Sequence, residues 1–356
     1  MSPRLSVVIP CFNAGKYIGD LLDCCLRQSY EDWEVIVVDD GSTDSETITV
    51  LDEYRSKDRR ISIINRYREP KGGDTCRNIG MEKARGEYLI IFDADDLISD
   101  DCFENRMRFM EENEDCDFAS FPASPFFDGK PLPQKWNDTA LKFGVKKGRH
   151  DNLYYLLTYN YPYTVWSNIY RRKSVEGIMW DEKILVMQDF DWMVSCELKG
   201  LKHKYSKVKK FDYYYRQFAD GHSVCGSFIG KPKCQSTYYL FDKTLSRLRE
   251  RNDYNQRKRQ LFHYITVHLN RLLVGKEFEE VDKFLNLCNE HYATKEVLRL
   301  WNVSKKYKRM AEINNGVVTT MRMSYICLVV YKSNRYLIGF IKNLVKFIIG
   351  QKPVLN

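Results

Sequence analysis

The chain reads as an α/β protein: a mostly parallel sheet sandwiched by helices, followed by a C-terminal helical region. Three observations lead there. Short β-rich runs alternate with segments of helical apolar spacing. The runs are apolar throughout and do not alternate with polar residues, as expected of strands covered on both faces. The conspicuous acidic clusters fall where these runs end, and sheets of this kind bind ligands outside the carboxyl ends of their strands.

In chain order, residues 5–9 predict a first strand, stopped at Pro10. The opening "MSPRLSVVIPCF" is too short in apolar residues for a secretory signal, and no small-residue cleavage site follows it. Residues 17–26 have helical spacing, and 34–38 form a second strand that ends in "DDGSTD". Residues 48–54 are helical, 61–64 a third strand and 76–84 a helix, with Gly86 placed to cap it. Residues 88–92 are the fourth strand. From 118 to about 149 the pattern loosens into a loop-rich stretch marked by Pro122, Pro125, Gly129, Pro131, Pro133 and Gly144. "KKFDYYYRQF" is again strand-like.

Gly230 and Pro232 break the chain, and long helical patterns follow to about residue 313. The expected organisation is therefore a first domain over 1–230, a helical domain over 231–320 and a tail over 321–356. No acidic residue occurs after Glu312, and Lys332, Arg335, Lys342 and Lys346 interleave with apolar residues. Such a tail suits a basic amphipathic helix lying on an anionic membrane, or a helix packed on the protein's own core. No stretch reaches the roughly 18–20 apolar residues of a membrane span.

Composition bounds the function. The chain has 356 residues, room for one catalytic domain and an appendage. Hydrophobic residues make up 44%, enough for a sizeable core and against global disorder. The net charge of +8 suits an anionic ligand or membrane surface. The basic residues form no recognition motif for nucleic acid, so none is expected as a partner. The 11 cysteines are scattered without a C-x-x-C pair, which argues for reduced thiols in a cytosol and against a disulfide framework or zinc site.

The stretch "EYLIIFDADDLISDD" carries the chemistry. An apolar strand delivers Asp93, Asp95 and Asp96 to one tip, where like charges repel. A D-x-D turn converges on a hard cation, Mg²⁺ or Mn²⁺, whose remaining ligands are typically phosphate oxygens. The alternative is a run of solvated acids, with Ser99 or Asp100 capping the next helix.

Five blocks occur in order: "SVVIPCFNAGKYI", "LRQSYEDWEVIVVDDGSTD", "CRNIGMEKARGEYLIIFDADD", "VWSNIYRR" and "QDFDW". Together they resemble the family 2 glycosyltransferases, which have the GT-A fold, over residues 5–227. The resemblance implies an inverting transferase that uses a nucleotide-diphosphate sugar, often a UDP-sugar, and a divalent metal. Its acceptor would be a glycan or lipid-linked hydroxyl in polysaccharide biosynthesis, at the cytoplasmic side of the plasma membrane.

By that resemblance Asp40 hydrogen-bonds the nucleobase and Asp39 orients its loop. Pro10, Phe12 and Asn13 form the other wall of the nucleotide pocket, with Phe12 either stacked on the base or a core aromatic. Arg77, of the Arg77–Asn78 pair, contacts the nucleotide or diphosphate, or else forms a salt bridge to Asp93. Asp95 is the foremost metal ligand, Asp93 meets the ribose or a metal-bound water, and Asp96 stands behind them or on the acceptor side. Arg216 would bind the departing diphosphate. His222 either reaches the metal or is structural. Trp166 would line the sugar or acceptor cleft.

Sugar transfer also needs a base for the acceptor hydroxyl. Asp189 stands where the family places it, with Asp191 as the competitor; the alternative is that "QDFD" caps a helix. Two positions depart from the family pattern: Gln188 stands for the usual Glu, and Asn168 for a frequent Lys. Losing the Glu removes a like charge beside the base, and it leaves open an inactive, nucleotide-sugar-binding paralogue. Two other enzyme classes fit less well. A HAD-type phosphatase carries its D-x-D on the first strand, and a dinucleotide-binding oxidoreductase needs a G-x-G-x-x-G that is absent after the first strand.

Overall fold

The computed structural model describes residues 2–134, 150–218, 231–257 and 278–292, with 260, 261, 264, 265 and 268 between the last two ranges. The chain divides into two compact units, Met1–Gly226 and Ser227–Asn356.

The first unit begins with strands β1 (Leu5–Cys11), β2 (Trp33–Asp39), β3 (Ile61–Asn65) and β4 (Tyr88–Ile91), joined by helices α1 (Gly15–Leu26), α2 (Ser45–Lys57) and α3 (Gly73–Lys83). After β4 come β5 (Leu97–Ile98), α4 (Cys102–Glu112), β6 (Phe118–Ser120) and β7 (Ala123–Phe127). Then follow α5 (Asn152–Leu157), β8 (Asn168–Arg171), α6 (Gln188–Lys199), β9 (His203–Tyr205) and β10 (Tyr213–Gln217).

The main sheet has seven strands in the order β3-β2-β1-β4-β8-β6-β9. Its first four strands are parallel, and β8 runs antiparallel to both β4 and β6. Chain order reverses direction between β1 and β4, so the crevice outside their carboxyl ends is a topological switch point. A three-stranded sheet, β5-β10-β7, lies beside it. The helices bury the strands on both faces: Val7, Ile9, Val35, Val37 and Ile90 are almost fully enclosed with Ile18, Leu21 and Leu22 of α1, and on the other face Val8, Ile36 and Val38 are buried, with Val8 against Gly80 of α3. The nine described cysteines are all buried thiols.

The strands differ from expectation in three places. β1 runs through Pro10 to Cys11. The Val8 carbonyl accepts from Phe92 N, so alternate β1 positions face β4, and Pro10 falls after that pairing has ended at Val8–Ile91. A missing N–H costs nothing there. Gly86 does not cap α3, whose C-cap is Ala84. It sits where a Cβ would lie 2.6 Å from Ser6 N, and its own N donates to Ser6 Oγ at 2.8 Å, so the residue serves close packing against β1. The stretch after residue 118 contains two strands, β6 and β7. Pro125 is tolerated in β7 because that strand is the edge of the small sheet.

The second unit contains α7 (Lys231–Glu250) and α8 (Phe278–Tyr292). Phe241 packs against Phe284 with ring centroids 5.3 Å apart, and Leu240, Leu245, Leu285 and Cys288 are fully buried. The tail after 321 and His222 lie outside the described residues. No described helix is long and apolar enough to cross a membrane.

Candidate active site

Four tips meet at the switch point: the loop after β1, the loop after β2, the acids after β4 and the first turn of α6.

Asn13 adopts a left-handed backbone (φ 47°), which Asn tolerates better than most residues. Its Oδ1 accepts from Thr43 N at 2.8 Å, and its own N donates to Ser42 Oγ at 2.9 Å. The Asp39 carboxylate accepts from Ser42 N at 3.1 Å and from Ser42 Oγ. Both side chains thus hold the loop after β2. Asp40 is buried, and its Oδ1 accepts from Arg66 Nε at 2.6 Å and from Gly72 N at 3.2 Å. Phe12 is 45% exposed, so it is no core aromatic; the Lys71 ammonium sits 3.6 Å from its ring centroid. Pro10 beside it is half-buried.

The three acids after β4 separate sharply. Asp93 accepts from Arg77 Nη2 at 2.8 Å and keeps 32% of its side chain exposed. Asp95 is half-buried, and burial first, then the charge of Asp93, push its carboxyl up to about 6 against the pull of Arg216. Asp96 is fully enclosed and points inward. Its Oδ2 accepts from Tyr213 Oη and its Oδ1 from Arg216 N at 2.7 Å, which fastens the turn to β10. Burial raises its carboxyl well above the ordinary range. Asp96 is therefore not among the groups facing the cleft.

Arg216 and Trp166 are likewise internal. The Arg216 guanidinium is 4% exposed, paired with Asp128 and with Asp20 at 3.3 Å, and its Nε donates to the Asp95 carbonyl at 2.6 Å. It braces the acid-bearing turn and presents no open face to a diphosphate. Trp166 is 6% exposed and stacks between Tyr213 and Tyr215, at 4.6 and 5.5 Å. It packs the core and does not line a cleft.

Arg77 is the hub of the site. Besides Asp93 it donates to Asp74 Oδ1 at 3.1 Å, and its guanidinium lies 4.6 Å from the centroid of the Trp180 ring. Asp189 acts on it electrostatically from the first turn of α6. The Asp189 carboxyl is pushed up to about 6, by desolvation first and then by Asp93, with Arg77 opposing. The loss of the neighbouring Glu charge at Gln188 is thus outweighed by burial. Asp189 caps no helix, since the N-cap is Met187 and no side chain bonds there. Asp191 is 2% exposed, so solvent and a ligand reach Asp189 more readily.

Several contributors were not foreseen from the sequence. Asn78 is buried and brackets Trp180, with Nδ2 donating to its carbonyl and Oδ1 accepting from its N, both at 2.9 Å. Glu182 accepts from Asn78 at 2.8 Å and from Arg68 at 2.6 Å. These bonds fix the connection that leads to Asp189 across more than 100 residues of chain separation. Asp74, pushed up to about 7 by burial, is a further acid beside Arg77. The sequence signal was the Asp in the first turn of a helix that opens on Gly72 and Gly73.

Among the described residues no group of three or more His, Cys, Asp and Glu side chains is gathered to hold a metal alone. The Asp93–Asp95 pair still fits Mg²⁺ or Mn²⁺, which take one or two carboxylates and complete their shell with phosphate and water. The charge of Asp93 raises the proton affinity of Asp95, an arrangement that a cation relieves. Asp74 Oδ2, Arg77 Nε and Trp180 Nε1 are buried there without hydrogen-bond partners, so polar capacity remains beside the acids.

Residues 6–178 match the family model for glycosyl transferase family 2. The chain is 39% identical over 131 residues to TuaG of Bacillus subtilis (strain 168), a putative teichuronic acid biosynthesis glycosyltransferase, covering 36% of this chain and 51% of that protein. It is 36% identical over 115 residues to the glycosyltransferase GlyG of Streptococcus pneumoniae serotype 4, covering 32% and 37%. The chain thus spans about half or less of these relatives' length. The structure of S. aureus TarS 1–349 in complex with UDP-GlcNAc matches with a TM-score of 0.66 over 90% of this chain and 91% of that one, at 20% identity, a likeness of fold. With the acid-bearing strand tips inside the matched segment and a GT-A-type fold around them, residues 6–178 form a glycosyl transferase family 2 domain.

Proposed function

We propose that the chain is an inverting glycosyltransferase that moves a sugar from a nucleotide-diphosphate sugar, specifically a UDP-sugar, to a hydroxyl of a glycan or lipid-linked acceptor in cell-surface polysaccharide biosynthesis. One observation carries the reading: Arg77 brings together two sets of carboxylates, donating to Asp93 at the strand tip, which also carries Asp95, and standing within electrostatic reach of Asp189 on α6. The first group suits the leaving diphosphate and the second the acceptor. The relative TuaG, putatively of teichuronic acid biosynthesis, and the UDP-GlcNAc bound by TarS support the acceptor class and the donor.

Asp95 and Asp93 would hold a divalent cation, Mn²⁺ or Mg²⁺, which offsets charge on the leaving diphosphate when bound. Asp40 accepts the base N–H, which an ionised carboxylate recognises because it can only accept. Phe12, exposed beside it, offers a ring face to the base. Asp189 takes the proton of the acceptor hydroxyl as that oxygen attacks the anomeric carbon opposite the diphosphate. The sugar–phosphate bond breaks with its electron pair going to the phosphate oxygen. Arg77 keeps Asp93 and Asp74 in place during this step. The basic tail would hold the enzyme at the inner face of the plasma membrane.

The test is UDP release from a panel of UDP-sugars with Mn²⁺, followed by the anomeric configuration of the product. Retained configuration rejects the single displacement. UDP binding without turnover of any donor would instead favour a nucleotide-sugar-binding paralogue.

A further inference from the structure

Two bulky residues beside Asp189 hold left-handed backbones, Tyr159 (φ 55°) and Met187 (φ 64°). Such conformations are disfavoured for side chains of this size and persist where the surrounding structure enforces them, often at ligand sites. The two residues touch: Tyr159 Oη lies 3.8 Å from Met187 Sδ. Met187 is the N-cap of α6, two positions before Asp189. Tyr159 stacks on Phe190, the neighbour of Asp189, at 6.4 Å and 13°. Tyr161 lies 6.2 Å from Tyr159 and also 6.4 Å from Phe190, which is itself fully buried. Yet Tyr161 is 36% exposed, and Leu185, on the connection into α6, is 45% exposed. An aromatic pair is thus seated on the helix turn that carries the base, with one ring partly exposed.

Resting on the reading of Asp189 as the base, we propose that Tyr159 and Tyr161 form the platform of an acceptor subsite that takes a pyranose ring by its apolar C–H face. Phe190, against which both rings pack, directly follows Asp189, so a sugar ring laid on the platform lies beside the turn that carries the base, and rigid aromatic side chains bind it with little entropy to lose. The local charge selects against an anionic polyol phosphate. Asp93 and Asp189 stand beside the adjoining cleft, Asp74 and Asp191 are buried close by, and the nearby Arg77 is committed to Asp93 and Asp74. A neutral sugar avoids the like-charge repulsion that a phosphate would meet.

The experiment uses the full chain with UDP and Mn²⁺ and saturation-transfer NMR. The probes are the methyl β-glycosides of glucose, galactose, N-acetylglucosamine and N-acetylgalactosamine, with ribitol 5-phosphate and glycerol 3-phosphate as anionic counterparts. In the wild type, ring protons of at least one glycoside saturate and the polyol phosphates do not. Tyr161→Ala weakens that glycoside roughly tenfold, in the range of one aromatic contact, and Tyr161→Phe keeps it. UDP affinity stays equal in all three proteins, which shows that the variants fold. The platform is refuted by no glycoside signal in the wild type, by equal affinity in Tyr161→Ala, or by binding of the polyol phosphates alone. A chain that binds UDP but fails these tests keeps its glycosyltransferase reading and loses the platform. A chain that does not bind UDP loses that reading, and the glycoside signals still decide the platform.

Discussion

Arg77 Nη2 donates to Asp93 Oδ1 at 2.8 Å, joining the helix after the Gly-Gly turn to the tip of β4. The same guanidinium reaches Asp74 and feels Asp189. One cation therefore partly neutralises acids from three elements. Burial first, and then neighbouring acid charges that one cation does not offset, make Asp95, Asp189 and Asp74 hold their protons more tightly than ordinary carboxyls. A divalent cation with a diphosphate changes that balance, and the following outcomes are expected.

UDP binding depends on the metal through Asp95. Titration calorimetry with and without Mn²⁺ should show tighter UDP binding with the ion in the wild type, and no such gain in Asp95→Ala. Equal affinities in all four measurements would reject the assignment.

Asp189→Asn keeps shape and loses basicity, so kcat should fall by roughly 10² to 10⁴ while UDP affinity barely moves. Asp191→Asn should be milder. A base works only unprotonated, and Asp189 is pushed up to about 6, so wild-type kcat should fall as pH drops through that value. If Asp191→Asn abolishes turnover and Asp189→Asn does not, the base has been misassigned.

Asp74 gives a stability test. Its carboxyl is raised from the ordinary 3.8 to about 7, so between these values the folded ligand-free chain holds a proton that the unfolded chain has released. Stability from this group therefore falls as pH rises through that window. Asp74→Asn mimics the protonated form. Its Tm relative to wild type should be more favourable at about pH 8 than at about pH 5; a difference independent of pH would contradict the raised value.

Arg106 is fully buried and pairs with Asp212 through two bonds of 2.8 and 2.9 Å, while its Nη1 donates to the carbonyls of Trp166 and Asn168. Arg106→Met strands a buried carboxylate at a cost of about 3–5 kcal/mol. Thermal unfolding should shift by on the order of 10 °C for a unit this size. Arg106→Met with Asp212→Leu should recover part of the loss, because neither charge then remains buried.

Residues after about 321 should raise affinity for anionic vesicles, since their interleaved Lys and Arg face no acidic residue within the tail. Flotation of the full chain against a truncation at 321 reads this directly. Equal flotation would favour a tail packed on protein.

Much of the fold was legible because its signals are local. The apolar runs of β1, β2 and β4 specify strands buried on both faces, and helical spacing between them leaves little but a parallel sheet. The short strands β6 and β7 escaped notice because three to five residues with a proline carry no period. Their pairing comes from strands far along the chain, β8 and β10.

The site divides along the same line. The sequence alone determined that acids cluster at the tips of β2 and β4 and at the start of α6, because strand and helix ends follow from neighbouring residues. It did not determine which way each side chain turns. Asp95 and Asp96 are adjacent, yet Tyr213, 117 residues away, claims Asp96 for the interior. Arg216 and Trp166 looked like ligand contacts and are instead packed against Asp20, Asp128, Tyr213 and Tyr215. Asn78, next to Arg77 in the chain and given no role from sequence, holds Trp180 and Glu182. Burial of a polar group is stable only with a partner, and partners that distant are brought together only when the sheet has closed over them.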